Sequence, residues 1–127
     1  MSVDTNKTTI ITFVGDTCKI TFTGLEPDSL IYMGVRERKT NELVFDELHE
    51  TVDSEGEITF TLDPEMTNKF VVKPLEKYNV YYYGIKQVDE VTGEENTILL
   101  GDNPKFSDNY LIMVYLKKAE GIVEENG

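Results

Sequence analysis

The sequence predicts an all-β protein, an antiparallel β-sandwich of about seven to nine short strands with one short crossover helix. Three observations carry this. Short runs rich in Val, Ile, Tyr, Phe and Thr recur along the chain, either alternating with polar residues or continuously apolar. Clusters of Gly, Asp, Asn, Pro and Ser separate them roughly every 8–12 residues. Only the stretch opening at Asp63-Pro64-Glu65 carries a helix start.

Thr8 to Val14 reads as the first strand and Cys18 to Thr23 as the second, with Cys18, Ile20 and Phe22 sharing an inward face. Between them, Gly15-Asp16-Thr17 is read either as a tight hairpin or as a kink that passes the chain from one sheet to another. After the turn cluster at residues 24–29, Leu30 to Glu37 forms a strand with Ile31, Met33 and Val35 on one face. Arg38 to Asn41 turns the chain and Glu42 to Leu48 is expected to return. Asp53-Ser54-Glu55-Gly56 makes a further turn into Glu57 to Leu62, with Ile58, Phe60 and Leu62 inward.

Asp63 is suited to cap free N–H groups, Pro64 to the first helical position and Glu65 to the positive end of the helix dipole. The β-rich Phe70-Val71-Val72 and Pro74 follow closely, which limits the helix to about two turns at Pro64 to Lys69. The chain then reaches its organising stretch, Tyr78 to Gly101. Val80 to Tyr83 leave neither face polar, as in an interior strand; residues 90–95 turn; Asn96 to Leu100 returns. Gly84 interrupts these aromatics, so a neighbouring group should approach its backbone closely. Asn103-Pro104 breaks the chain, Tyr110 to Lys117 is a last interior strand, and residues 119–127 form an acidic tail beyond a single domain at 1–118. Phe22, Phe60, Ile85 and one face of the last strand should be buried.

Tyr32-Met33-Gly34-Val35-Arg36 and Tyr82-Tyr83-Gly84-Ile85-Lys86 share a Tyr-x-Gly-aliphatic-basic pattern, and each leads into a Thr-bearing turn. Convergence of two hairpins is preferred to duplication, since little else matches.

The formal charge is 12 − 24 = −12. That opposes binding to nucleic acid and to anionic membrane surfaces, and it leads to the expectation that any self-association strengthens as salt screens the repulsion. Cys18 is the only cysteine, so no internal disulfide forms. The first seven residues carry no signal-peptide pattern, which leads to the expectation of a cytoplasmic product or of export without a leader.

Residues with catalytic or metal-binding chemistry are sparse, so no enzyme and no cofactor is expected. His49 is the sole histidine and reads as a surface residue; Cys18 reads as a small core hydrophobe. Asp53-Ser54-Glu55-Gly56 fails the calcium-loop pattern and reads as a hairpin turn. The tyrosines are the most suggestive feature. Tyr78, Tyr81 and Tyr83 are candidates to meet a glycan or a protein partner, although consecutive tyrosines on a strand must divide between its faces.

The architecture is immunoglobulin-like, without the Cys…Trp…Cys signature of antibody domains. The order of motifs adds a resemblance: Gly15-Asp16-Thr17, Ile20-Thr21-Phe22, Gly56 to Leu62, the short helix with Thr67, the strand Tyr78 to Ile85, and Thr97-Ile98-Leu99-Leu100-Gly101. From about Thr8 to Lys117 the chain resembles the N-terminal immunoglobulin-like domain of phage baseplate upper proteins and related prophage modules. That resemblance implies a structural or assembly role through protein–protein contacts, with tail or baseplate proteins or further copies as partners. It implies no catalytic residues, and a location in the bacterial cytoplasm during assembly and in the virion. The alternative is a carbohydrate- or surface-binding module that uses exposed tyrosines.

Overall fold

The computed structural model describes residues 9–101 and 110–116. Expectations placed on the first seven residues, on Asn103-Pro104 and on the tail lie outside these. The strands are β1 (Ile10–Phe13), β2 (Cys18–Phe22), β3 (Leu30–Glu37), β4 (Leu48–Thr51), β5 (Ile58–Leu62), β6 (Tyr78–Val88), β7 (Glu95–Leu100) and β8 (Leu111–Tyr115). One helix, α1 (Pro64–Thr67), carries the chain from β5 to β6.

Strand β6 organises the larger sheet, whose order is β1-β8-β6-β3-β4 with β7 also on β6. Of its 11 residues, Tyr81 to Val88 pair β3 along one edge. Along the other edge it pairs β8 through Tyr78 to Tyr82 and then β7 through Gly84 to Val88. The second sheet is the antiparallel pair β2-β5. Alternation drives the packing between the sheets. Cys18, Ile20 and Phe22 of β2, and Ile58, Phe60 and Leu62 of β5, are buried against Ile31, Met33 and Val35 of β3 and Tyr81, Tyr83 and Ile85 of β6. Phe22 bridges the sheets, with ring centroids 6.1 Å from Phe60 and 6.0 Å from Tyr83. Each large apolar side chain buried here is worth about 1.5–3 kcal/mol, which makes this layer the main stabilising term.

The sandwich class, the inward faces of β2, β3 and β5, and the interior placement of β6 and β8 agree with the sequence reading. Four details differ or are resolved. Gly15-Asp16-Thr17 is the sheet-switching kink: β1 lies in the larger sheet and β2 in the smaller, with Gly15 at φ 86° and the Asp16 N–H donating to the Phe13 carbonyl at 3.1 Å. The pairing is not wholly antiparallel, because β1 runs parallel to β8. The return after Asn41 does not form one strand over residues 42–48. Leu43 makes a single bridge to Arg36, the chain then leaves the ladder so that Phe45 packs into the core, and pairing resumes at Leu48. Residues 70–72 form no strand. Instead Phe70 is buried 4.6 Å from the Tyr81 ring and 6.2 Å from Phe45, so apolar packing displaces the extended pairing that their composition favours.

Candidate functional site

The outer face of the larger sheet, turned away from β2 and β5, divides into two regions of different chemistry. Over β1, β8 and the start of β6 the described strand residues that point outward are uncharged. Ile11 and Phe13 of β1, Met113 and Tyr115 of β8, and Tyr78 and Val80 of β6 lie side by side in register, Ile11 opposite Met113 opposite Val80 and Phe13 opposite Tyr115 opposite Tyr78. Ile11 is 49% exposed, and Phe13 and Tyr78 are each 41% exposed. Tyr115 sits between Phe13 and Tyr78, at ring-centroid distances of 6.2 and 5.4 Å. Solvated sheet faces ordinarily alternate to polar residues, so an apolar strip here has the composition of an interaction surface.

Over β3 and the rest of β6 the face holds the twin motif, and the two copies meet. Gly34 pairs directly with Gly84, Tyr32 with Lys86, and Arg36 with Tyr82, so the two patterns are related by a local two-fold axis through the glycine pair. Their turns also match. The Asn41 N–H donates to the Glu37 carbonyl and the Gly93 N–H to the Asp89 carbonyl, both at 2.7 Å, with Asn41 at φ 64° and Gly93 at φ 78°. The hydroxyls of Thr40 and Thr92 accept from the N–H groups of Glu42 and Glu94.

Beside the glycine pair a hollow of about 110 Å³ opens, walled by Tyr32, Arg36, Glu47, Tyr82, Lys86 and Leu99, among others. The Lys86 ammonium lies 5.8 Å from the Tyr32 ring centroid, 3.2 Å from a Glu95 oxygen and 3.6 Å from a Glu47 oxygen. Desolvation works against its charge, but the hydrogen bond to Glu95 and the attraction of Glu47 and Glu95 outweigh it and hold the ammonium above its ordinary value. At the other end Arg36 Nη1 donates to the Asn41 carbonyl at 2.8 Å, and the Tyr82 hydroxyl donates to Asn41 Oδ1. The hollow offers ring edges, cations and a carboxylate, which is binding chemistry.

Of the three candidate tyrosines, the structure leaves one accessible. Tyr81 and Tyr83 are buried at 2% and 0% exposure, because the odd-numbered residues of β6 face the second sheet. Neither can present a ring face to a ligand. The Tyr81 hydroxyl accepts from the Val71 N–H at 2.7 Å, and burial pushes both phenols above their ordinary pKa. Tyr78 is exposed and belongs to the apolar strip. Cys18 is wholly buried, and burial pushes its thiol up, so it is held as an unreactive hydrophobe. His49 is exposed beside Tyr32, ring centroids 5.1 Å apart. Asp53 Oδ1 accepts from the N–H groups of Glu55 and Glu57, each at 2.9 Å, as a turn requires. Among the described residues no group of three or more His, Cys, Asp and Glu side chains is placed to hold a metal ion, and no helix is long and apolar enough to cross a membrane.

The sequence reading missed the apolar strip, although its signal was present: Ile10, Ile11 and Phe13, and Leu111 to Tyr115, place apolar residues on both faces of their strands, beyond what one buried face needs. Comparison with protein-family models finds no match, and comparison with curated proteins finds none either.

Proposed function

We propose that this chain is a non-enzymatic structural or assembly module that acts through protein–protein contacts, of the baseplate or tail type found in phages and prophages. The observation that supports it best is the uncharged strip of Ile11, Phe13, Tyr78, Val80, Met113 and Tyr115 on a molecule of net charge −12. An exposed patch with aromatic residues and no charge is the composition of an interface core. The test is photo-crosslinking from position 78 in lysate of a prophage-induced host, comparing the wild type with Ile11→Asn/Phe13→Asn. Tail or baseplate proteins should be captured by the wild type and lost in the variant. Specific glycan binding with no co-purifying tail protein would overturn the reading.

A carbohydrate- or surface-binding role is the second reading, and it rests on Tyr78 with Tyr115 beside it. The two rings are tilted by 45°, so they do not make the flat platform that a sugar ring stacks on. A glycan array with Tyr78→Ala as control tests it directly.

A further inference from the structure

The twin motif puts a tyrosine and a cation at each end of the hollow beside Gly34 and Gly84, yet the two ends differ in charge. At the Lys86 end the ammonium already has two carboxylates, Glu95 at 3.2 Å and Glu47 at 3.6 Å. One cation against two anions leaves that end negative. At the other end the Arg36 guanidinium is half-buried beside Tyr82, and its Nη1 donates to the Asn41 carbonyl. Among the described residues no carboxylate lies within ion-pair distance of it. A guanidinium offers five N–H donors in a fork that matches a carboxylate, and one neutral carbonyl leaves most of that capacity unused.

Glu47 fixes where the negative end lies. Its Oε2 stands over Gly34, 3.5 Å from where a Cβ would be. Arg36 follows two residues later on the same face, about 7 Å along the strand at ~3.3 Å per residue. Ring and aliphatic surface from Tyr32, Tyr82, Leu99 and Leu100 makes up much of the remaining wall. A cationic fork and a carboxylate a short span apart, within apolar walls, are the parts of a site for a small molecule.

We infer that the hollow binds a small zwitterion, an amino carboxylate whose carboxylate meets Arg36 and whose ammonium meets Glu47. Size, charge and span select this class. One water needs about 10–15 Å³ of such space, so 110 Å³ admits roughly seven to ten non-hydrogen atoms, the size of a short amino acid. A simple anion is repelled by the net charge of −12, whereas a zwitterion carries no net charge and is not. A peptide holds its two terminal charges at opposite ends of its chain, so either terminus satisfies only half of the site. The inference uses neither the apolar strip nor the assembly role.

Amide NMR titration of the purified chain with glycine, β-alanine and γ-aminobutyrate tests it, and the three lengths measure the span between the charges. Propionate and propylammonium, which carry one charge each, are the controls. Shifts should centre on Tyr32 to Arg36, Tyr82 to Lys86 and Glu47. The best zwitterion should bind about tenfold or more tightly than either control, since one charge-assisted hydrogen bond contributes about that factor. Arg36→Gln and Glu47→Gln should each weaken it by a similar factor, with folding checked by the urea midpoint. Glu47→Gln keeps the shape of a side chain that is 36% exposed, so it decides the matter if Arg36→Gln does not fold. No shift with any zwitterion, a control that binds as tightly as the best of them, shifts centred elsewhere, or undiminished affinity in Glu47→Gln would overturn the inference.

Discussion

Gly34 and Gly84 face each other across β3 and β6, yet the space above them differs, and a methyl group added to each should act with opposite sign. Neither glycine has a left-handed φ, so backbone strain does not enter. At Gly84 a Cβ would lie 2.9 Å from the Leu99 carbonyl oxygen, 2.9 Å from Leu100 Cδ1 and 3.3 Å from Leu100 Cα. Two of these three atoms are backbone of the paired strand β7 and cannot swing aside, so Gly84→Ala must push β7 outward. Overpacking of this kind costs about 1–3 kcal/mol. At Gly34 the nearest atoms are side-chain atoms of Glu47 and Leu43, at 3.5 Å, an ordinary contact distance. There Gly34→Ala removes unfolded-state freedom without a clash and should stabilise by about 0.4–1 kcal/mol. Urea unfolding at 25 °C reads both. With m near 1.5 kcal/mol/M, Gly84→Ala should lower the midpoint by roughly 0.7–2 M and Gly34→Ala should raise it by roughly 0.3–0.7 M. A Gly84→Ala midpoint at or above wild type would refute the close-approach argument, and equal losses at both sites would refute the asymmetry.

Phe60 is 1% exposed at the centre of the small sheet, so Phe60→Ala should cost about 3–5 kcal/mol in the same assay. Tyr81 and Tyr83 have phenols raised by burial, so the folded state holds their protons more tightly than the unfolded one above pH 10.0, the ordinary value. Their contribution to stability is therefore fully present below that pH and is lost as pH rises beyond it, and absorbance titration should show two late phenols in the native protein. Cys18 should resist iodoacetamide at pH 8 in the native state and react once denaturant is added; fast native labelling would contradict its burial.

What the sequence made legible were the features written in local alternation and turn chemistry. Cys18-Ile20-Phe22 and Ile58-Phe60-Leu62 identify buried faces because a period of two leaves no other arrangement once one face must be dry. Asp63-Pro64 gives the helix start because Asp63 can accept only from the N–H groups just ahead of it, and it does so from Met66 at 2.9 Å. The failures share a cause in contacts distant along the chain. Nothing near Phe45 or Phe70 in sequence indicates that they will meet over Tyr81, and that meeting takes both segments out of extended pairing. The division of the tyrosines between faces follows from the pleat, but which face is covered depends on β2 and β5, which lie some 60 and 20 residues earlier.

The twin motif shows how a pattern too weak to interpret in one dimension becomes geometry in three. As sequence, two Tyr-x-Gly-aliphatic-basic segments 50 residues apart have no stated relation. Antiparallel pairing of β3 with β6 lays one on the other in reverse, which brings glycine to glycine and each tyrosine to the other copy's cation. The returning chains then bulge beside the pair. Ile98 is the extra residue opposite Ile85/Lys86, and the ladder on the other side skips between Leu43 and Leu48. A bulge leaves one strand unpaired locally and increases its bend, so the sheet opens beside Gly34 while the backbone of β7 closes in on Gly84. The hollow is thus a product of sheet construction. Its walls are tied into the same hydrogen-bonded turns that fix the hairpins, since the hydroxyl of Tyr82 and the guanidinium of Arg36 both bond Asn41, the left-handed residue of the first turn. Asn41 thereby accepts from two walls of the hollow, through its side-chain oxygen from Tyr82 and through its carbonyl from Arg36, coupling the turn to the hollow at the centre of the sheet.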